Sequence, residues 1–196
     1  MTRILLAVLA PLQWLNTRLL PAGSVLAAIL LALMVVIILT QVFFRYVLNS
    51  ALPWPEEAAR FLMLWMTGLA APAIYRRGGF VAIDMLEVAI PKRAAALLQL
   101  VLLLISALVL VMALKYGWKH VNSGWLFNSA SLRLPLEMFG MGVVRVKLAW
   151  MYMSIFVGFV LLSLVNLELI LRSLIALFGE PQSLAPIPTL AVTEAE

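Results

Sequence analysis

The sequence predicts an all-α integral membrane protein with four transmembrane helices and short interfacial helices. Of its 196 residues, 65% are hydrophobic and only 12% are charged, whereas soluble domains average about 45–50% apolar and about 25% charged residues. The charges lie between long apolar runs, as a helical bundle requires, and the period-two alternation of a transmembrane barrel is missing. The net charge of +5 flanks the apolar runs, which favours contact with anionic lipid headgroups and not with nucleic acid.

The first 21 residues differ from a spanning segment because their apolar run is short and ends in polar residues. A signal peptide is the alternative, but no small-x-small cleavage site follows the run. We therefore expect an interfacial helix over residues 1–21, anchored by Trp14. The membrane domain would then cover residues 22–175, followed by a flexible tail over 176–196 that is rich in proline and acid. The four spans are predicted at about 22–44, 56–75, 94–114 and 148–167.

The first two spans are joined by a short turn that ends in Pro53. Pro55 suits the first position of the second helix, with Glu56 and Glu57 close to the positive end of the helix dipole. That helix has a short uncharged stretch, so its charged first turn must lie at the membrane boundary. A glycine stop with two basic residues closes it, and comprises Arg76, Arg77, Gly78 and Gly79.

The connections in the second half are less regular. Residues Val81–Ile90 are too few to span, and we expect a short helix in the membrane plane. Between Lys115 and Lys147 the sequence has aromatic residues typical of an interface and polar residues typical of loops. Within it, Leu134–Val144 is apolar but contains proline and glutamate. Two alternatives remain open for it, a second surface helix or an extension of the fourth span.

The charged residues at the turn are the main candidates for a structural or functional site, because an unpaired charge near hydrocarbon has a high free-energy cost. Glu56 and Arg60 stand four apart in the favourable order. Glu57 is rotated about 100° from Glu56, so we expect it to pair with Arg45 at the end of the first span. An ion path is the alternative, but no acidic residue or histidine falls deep in a predicted span. The sequence favours a structural charge clamp or partner interface, comprising Arg45, Trp54, Glu56, Glu57 and Arg60.

Other candidate chemistry is sparse. The single histidine, His120, excludes a haem with two histidine ligands from this chain and argues against zinc. Cysteine is absent, which excludes thiolate sites. We therefore expect no catalytic residue, no metal and no cofactor. Small residues four apart permit close helix contact, either within the bundle or with a partner, and comprise Thr67 and Ala71 on the second span and Ser154 and Gly158 on the fourth.

Several of these residues resemble the signature of one family. The sequence Arg45-Tyr46-Val47, the pair Pro53-Trp54, the run Glu56-Glu57-Ala58-Ala59-Arg60 and the Arg76–Gly79 stop are similar to the small, Q-type membrane subunit of tripartite ATP-independent periplasmic (TRAP) transporters. Trp65 and Asp84 match as well.

The resemblance implies a non-enzymatic subunit of the bacterial inner membrane, with both termini in the cytoplasm. Its partners would be a large multispanning membrane subunit, which holds the sodium and substrate sites, and a periplasmic substrate-binding protein that delivers a carboxylate-bearing solute. Membrane lipids surround it. A self-contained oligomeric transporter or channel is the alternative, although Gln41, Thr67, Ser106 and Ser154 offer few polar groups for a pore. An anchor for a redox enzyme conflicts with the single histidine.

Overall fold

The protein consists of four long helices and one short β-hairpin. A computed structural model describes residues 2–78, 92–135 and 143–178. In these ranges four helices are long and apolar enough to cross a membrane, as the all-α fold class predicts. The helices are α1 (Thr2–Tyr46), α2 (Pro55–Arg76), α3 (Lys92–Gly124) and α4 (Ala149–Phe178), and the strands are β1 (Asn128–Pro135) and β2 (Val143–Lys147).

Helix α1 is continuous over 45 residues. It has no break near residue 21, so the predicted N-terminal segment and the first span belong to one helix, with Pro21 inside it. Leu9, Asn16 and Leu20 are buried, because this part of α1 packs against other helices of the bundle. An interfacial position for residues 1–21 stays a prediction.

Helix α2 begins with Pro55 at its first position and ends at Arg76. The turn before it includes Asn49 with a φ of 51°, a left-handed conformation that asparagine tolerates. Arg77 caps the C-terminus of α2 and Gly78 follows with a φ of 101°, where a side chain would be strained. Gly79 and the in-plane helix predicted over Val81–Ile90 lie outside the described residues.

The connection between α3 and α4 corrects the sequence analysis. Helix α3 continues to Gly124, well beyond the predicted end at residue 114, and β1 pairs antiparallel with β2. The described ends of Leu134–Val144 lie in strands and pair with each other, so both helical alternatives are wrong there. Residues Val143–Lys147 read VVRVK, and their β-branched residues favour an extended strand. Residues 136–142 lie outside the described ranges.

The central pair of the bundle is α2 and α4. Helix α1 packs on α2 and also touches α4, while α3 packs on the other side of α4. The buried cluster at the centre joins Leu20, Ala73 and Val165 from three helices, with Tyr75 packed against it. Large apolar side chains remain exposed along α1 and α3, such as Ile29 at 57% and Leu108 at 66%. Such a surface needs a lipid or protein cover.

Candidate functional site

A buried ion cluster joins α1, α2 and α4 at the end of α2 that carries Arg76. At its centre lies Glu168, a side chain with no exposure. One carboxylate oxygen accepts hydrogen bonds from Arg76 Nη2 at 2.8 Å and from Arg172 Nε at 3.1 Å. The other accepts one from Asn16 Nδ2 at 2.7 Å. A buried carboxylate requires such partners, since an isolated charge away from water is very costly.

Arg76 extends this cluster further into α1. Its Nη2 donates to the Thr17 hydroxyl at 3.0 Å and to the Gln13 carbonyl at 3.5 Å, besides Glu168. The Arg76 side chain is 5% exposed. The sequence suggests that Arg76 closes α2, and the structure adds that its guanidinium ties α2 to α1 and α4. Its Nε is buried without a hydrogen-bond partner among the described residues.

The role of Glu168 was not predicted from the sequence. The apolar run of the fourth span ends at Leu167, so Glu168 counted as the first residue outside it. In the structure α4 continues to Phe178, and Glu168 and Arg172 belong to the stretch of α4 long and apolar enough to span. No acidic residue was expected deep in a predicted span, and Glu168 lies just beyond the predicted end at residue 167 but inside the longer helix α4. One signal was present: Glu168 and Arg172 stand four apart in the order that favours pairing on a helix.

A different arrangement holds Glu57 at the opposite end of α2. Its carboxylate accepts hydrogen bonds from the backbone N–H groups of Ala130 (3.3 Å), Ser131 (2.7 Å) and Leu132 (3.3 Å), and from the Ser131 hydroxyl. The three consecutive amides of β1 curve around one acceptor. Such a concave run of amides favours an anion, and here the anion is a side chain of α2. Glu57 thus fixes the hairpin to the bundle.

The predicted ion pair between Glu57 and Arg45 does not form in the structure. Arg45 is exposed and its guanidinium lies over the Tyr46 ring at 5.8 Å, an arrangement that favours a cation. Among the described residues, neither Glu57 nor Arg45 forms an ion pair. The reason is that the hairpin, which the sequence analysis did not predict, supplies backbone donors to Glu57.

Glu56 and Arg60 do face each other, with Oε1 and Nη2 3.4 Å apart. Their side chains are 76% and 59% exposed, so this pair adds little to stability. Trp54 directly precedes α2 and makes no side-chain cap. Glu56 and Arg60 line an open cleft of about 510 Å³ between α2, the hairpin and α4. The cleft is also lined by Pro53, Leu148, Met151 and Tyr152.

Between these two ends, α2 and α4 approach each other backbone to backbone. A Cβ added to Gly158 would lie 2.9 Å from Gly68 Cα, and one added to Gly68 would meet the Ser154 carbonyl. Ser154 and Gly158 therefore contact α2 within the bundle, but at Gly68, which the sequence analysis did not single out. Thr67 and Ala71 line an apolar groove beside this contact. The small residues serve close helix packing.

Polar groups elsewhere in the bundle also join helices. Asn166, 2% exposed, accepts a hydrogen bond from the Tyr75 hydroxyl at 2.6 Å and donates to the Leu103 carbonyl at 3.1 Å. One amide thereby connects α2, α3 and α4. His120 is exposed and packs on the Tyr152 ring with a centroid distance of 4.0 Å. These arrangements bind helices to each other.

Comparison with protein families gives a match over most of the described bundle. A family model described as "Tripartite ATP-independent periplasmic transporters, DctQ component" matches residues 34–176. The matched range covers most of the chain, includes both charged ends of α2 and extends to the cluster on α4. A search of curated proteins gave no match.

Proposed function

This chain belongs to the DctQ component family, the small permease subunits of tripartite ATP-independent periplasmic transporters, and we propose that it acts as a scaffold for the large membrane subunit. As a transporter component it is a multi-pass membrane protein, and its role is to hold a partner in place. The large subunit would carry the sodium and substrate sites.

The observation that carries this proposal is the way in which the bundle uses its buried charge. A coupled transporter places ionisable groups on a path for its ion or substrate. In this chain Glu168 is fully buried and is held by Arg76, Arg172 and Asn16. A carboxylate with those partners locks three helices together and is poorly suited to bind and release a cation.

The exposed apolar faces of α1 and α3 support a large partner in the same membrane. They lie on the two outer helices of the bundle, where a multispanning subunit can pack against either one. The complete transporter would take up a carboxylate-bearing solute with sodium, delivered by a periplasmic binding protein. This part of the proposal follows from the family.

The proposed orientation places both termini in the cytoplasm of a bacterium and the hairpin at the periplasmic side of the inner membrane. Residue 57 lies about 28 Å along α2 from residue 76, at about 1.5 Å per residue, close to the hydrocarbon thickness of about 30 Å. The two charged ends would therefore lie at opposite boundaries. A reporter fused after Glu196 that is active only in the periplasm should remain silent, and an active reporter would reverse the orientation.

Purification and transport test the scaffold proposal together. The tagged chain, extracted from its native membrane, should carry a large multispanning protein with it. In liposomes under a sodium gradient the chain alone should take up no carboxylate solute, while the chain with that partner and a binding protein should do so. Uptake by the chain alone would contradict the scaffold and favour the self-contained transporter.

A further inference from the structure

Two cavities of different chemistry lie one after the other between α2 and α4, and together they are called the groove here. The open cleft near the hairpin is lined from α2 by Glu56, Glu57 and Arg60. A second cavity of about 120 Å³ is lined almost only by apolar atoms, from α2 by Leu64, Thr67, Gly68 and Ala71 and from α4 by Ile155, Gly158, Phe159 and Leu162.

The two cavities follow each other along the same helix faces. Residues 56, 60, 64, 67 and 71 of α2 are three or four apart and so share one face of that helix. On α4 the lining residues continue in the same way from 151 and 152 to 155, 158 and 162. The distance from Arg60 to Ala71 along α2 is about 16 Å. That is about half the hydrocarbon thickness of a bilayer, or one leaflet.

From this geometry we propose that the groove binds one zwitterionic phospholipid with an ammonium headgroup. The phosphate would lie at Arg60, the ammonium at Glu56, and one acyl chain along the apolar cavity. The proposal concerns a lipid site within this chain and does not depend on the transport role.

Charge complementarity supports the headgroup. Glu56 and Arg60 are mostly exposed and only 3.4 Å apart, so a headgroup with one phosphate and one ammonium can contact both charges at little cost to the bundle. The carboxylate of Glu57 already has four hydrogen bonds from β1. An anionic headgroup would bring a net negative charge towards two carboxylates and one cation, which disfavours it.

The apolar cavity suits an acyl chain because it offers no unsatisfied polar group. The Thr67 hydroxyl donates to the Met63 carbonyl at 2.9 Å within α2. Gly68 and Gly158 bring the two backbones into contact, so no side chain fills the floor of the groove. A cavity of about 150 Å³ lined by apolar side chains is enough to bind benzene, and this one would seat a segment of a single chain.

Native mass spectrometry of the full chain, offered equal amounts of phosphatidylethanolamine and phosphatidylglycerol, tests the headgroup. The chain should retain the zwitterionic lipid about tenfold more. Arg60→Gln should reduce that retention about tenfold, the size expected for loss of a charged hydrogen bond, while Arg45→Gln, at an exposed arginine outside the groove, should not. Equal retention of both lipids, or equal loss in both variants, would overturn the proposal.

Filling the groove tests the acyl chain. Ala71→Phe should lower lipid retention about tenfold, whereas Ala28→Phe, at an exposed alanine of α1, should leave it unchanged. Unaltered retention in Ala71→Phe would contradict the site.

A partner helix is the competing occupant, and photo-crosslinking in the complex with the large subunit distinguishes it. A photoreactive residue at Ile155 should form an adduct with lipid. The same residue at exposed Leu104 of α3, tested in the chain without the large subunit, gives the signal of a lipid-facing position. An adduct of residue 155 with the large subunit, and none with lipid, would show that protein fills the groove and would overturn the proposal.

Discussion

The two ends of α2 carry similar charges in opposite surroundings. At Arg76 the ion cluster around Glu168 is buried, with the carboxylate unexposed and Arg76 5% exposed. At the other end Glu56 and Arg60 are exposed, and Glu57 is held by backbone amides of the hairpin. The comparison shows that charge near a membrane boundary has no single role. The surroundings decide whether a charge holds helices together, fixes a loop, or remains available to a ligand.

The buried end is expected to dominate the stability of the bundle. Glu168→Gln would leave two buried arginines without their carboxylate, and loss of one member of a buried pair costs about 3–5 kcal/mol. Glu56→Gln, the matched removal of an exposed carboxylate, should cost less than about 1 kcal/mol. Thermal unfolding in detergent micelles measures both. Equal effects of the two substitutions would mean that the buried cluster has no special weight.

Midway between the two ends of α2, its close contact with α4 should be destabilised by a single added methyl group. Gly68→Ala places a Cβ against the Ser154 carbonyl, and overpacking of this kind costs about 1–3 kcal/mol. Gly117→Ala is the matched control, because its Cβ would meet only the Phe156 and Phe159 rings, at 3.3 Å or more. The readout is the midpoint of thermal unfolding. A Gly68→Ala protein as stable as the control would show that the helices separate there without cost.

At the open end of α2, near Glu57 and the hairpin, a substitution should cause a smaller and more local loss of stability. Glu57→Gln replaces the charged acceptor of three β1 amides, and we expect a loss of about 1–2 kcal/mol, since hydrogen bonds to charged groups contribute about 1.5–3 kcal/mol when well shielded and this site is partly exposed. Hydrogen exchange should lose protection at Ala130, Ser131 and Leu132, with little change in α4. Arg45→Gln should leave those amides protected. Faster exchange of these amides in Arg45→Gln would indicate that Arg45 does interact with Glu57.

Features that depend on a local residue pattern could be predicted from the sequence. Apolar runs predicted the four spanning helices, and Pro55 marked the start of α2. Contacts between segments far apart in the sequence could not be predicted. The role of Glu168 depends on the meeting of α1, α2 and α4, and the apolar run that ends at Leu167 concealed it. Glu57 was assigned to Arg45 because the hairpin was not predicted. Its donors are mainly backbone N–H groups, which nearly every residue type has, so the sequence does not reveal them.

Helices are held together at the buried end of α2, around Glu168, whereas Arg45 and Glu57 act independently at the open end. A double-mutant cycle for each pair measures this in the same purified protein. For Arg76→Met with Glu168→Gln we predict a coupling free energy of about 2–3 kcal/mol, the upper part of the range for residues in one network. For Arg45→Gln with Glu57→Gln we predict a coupling close to zero. A strong coupling between Arg45 and Glu57, with none between Arg76 and Glu168, would contradict the account.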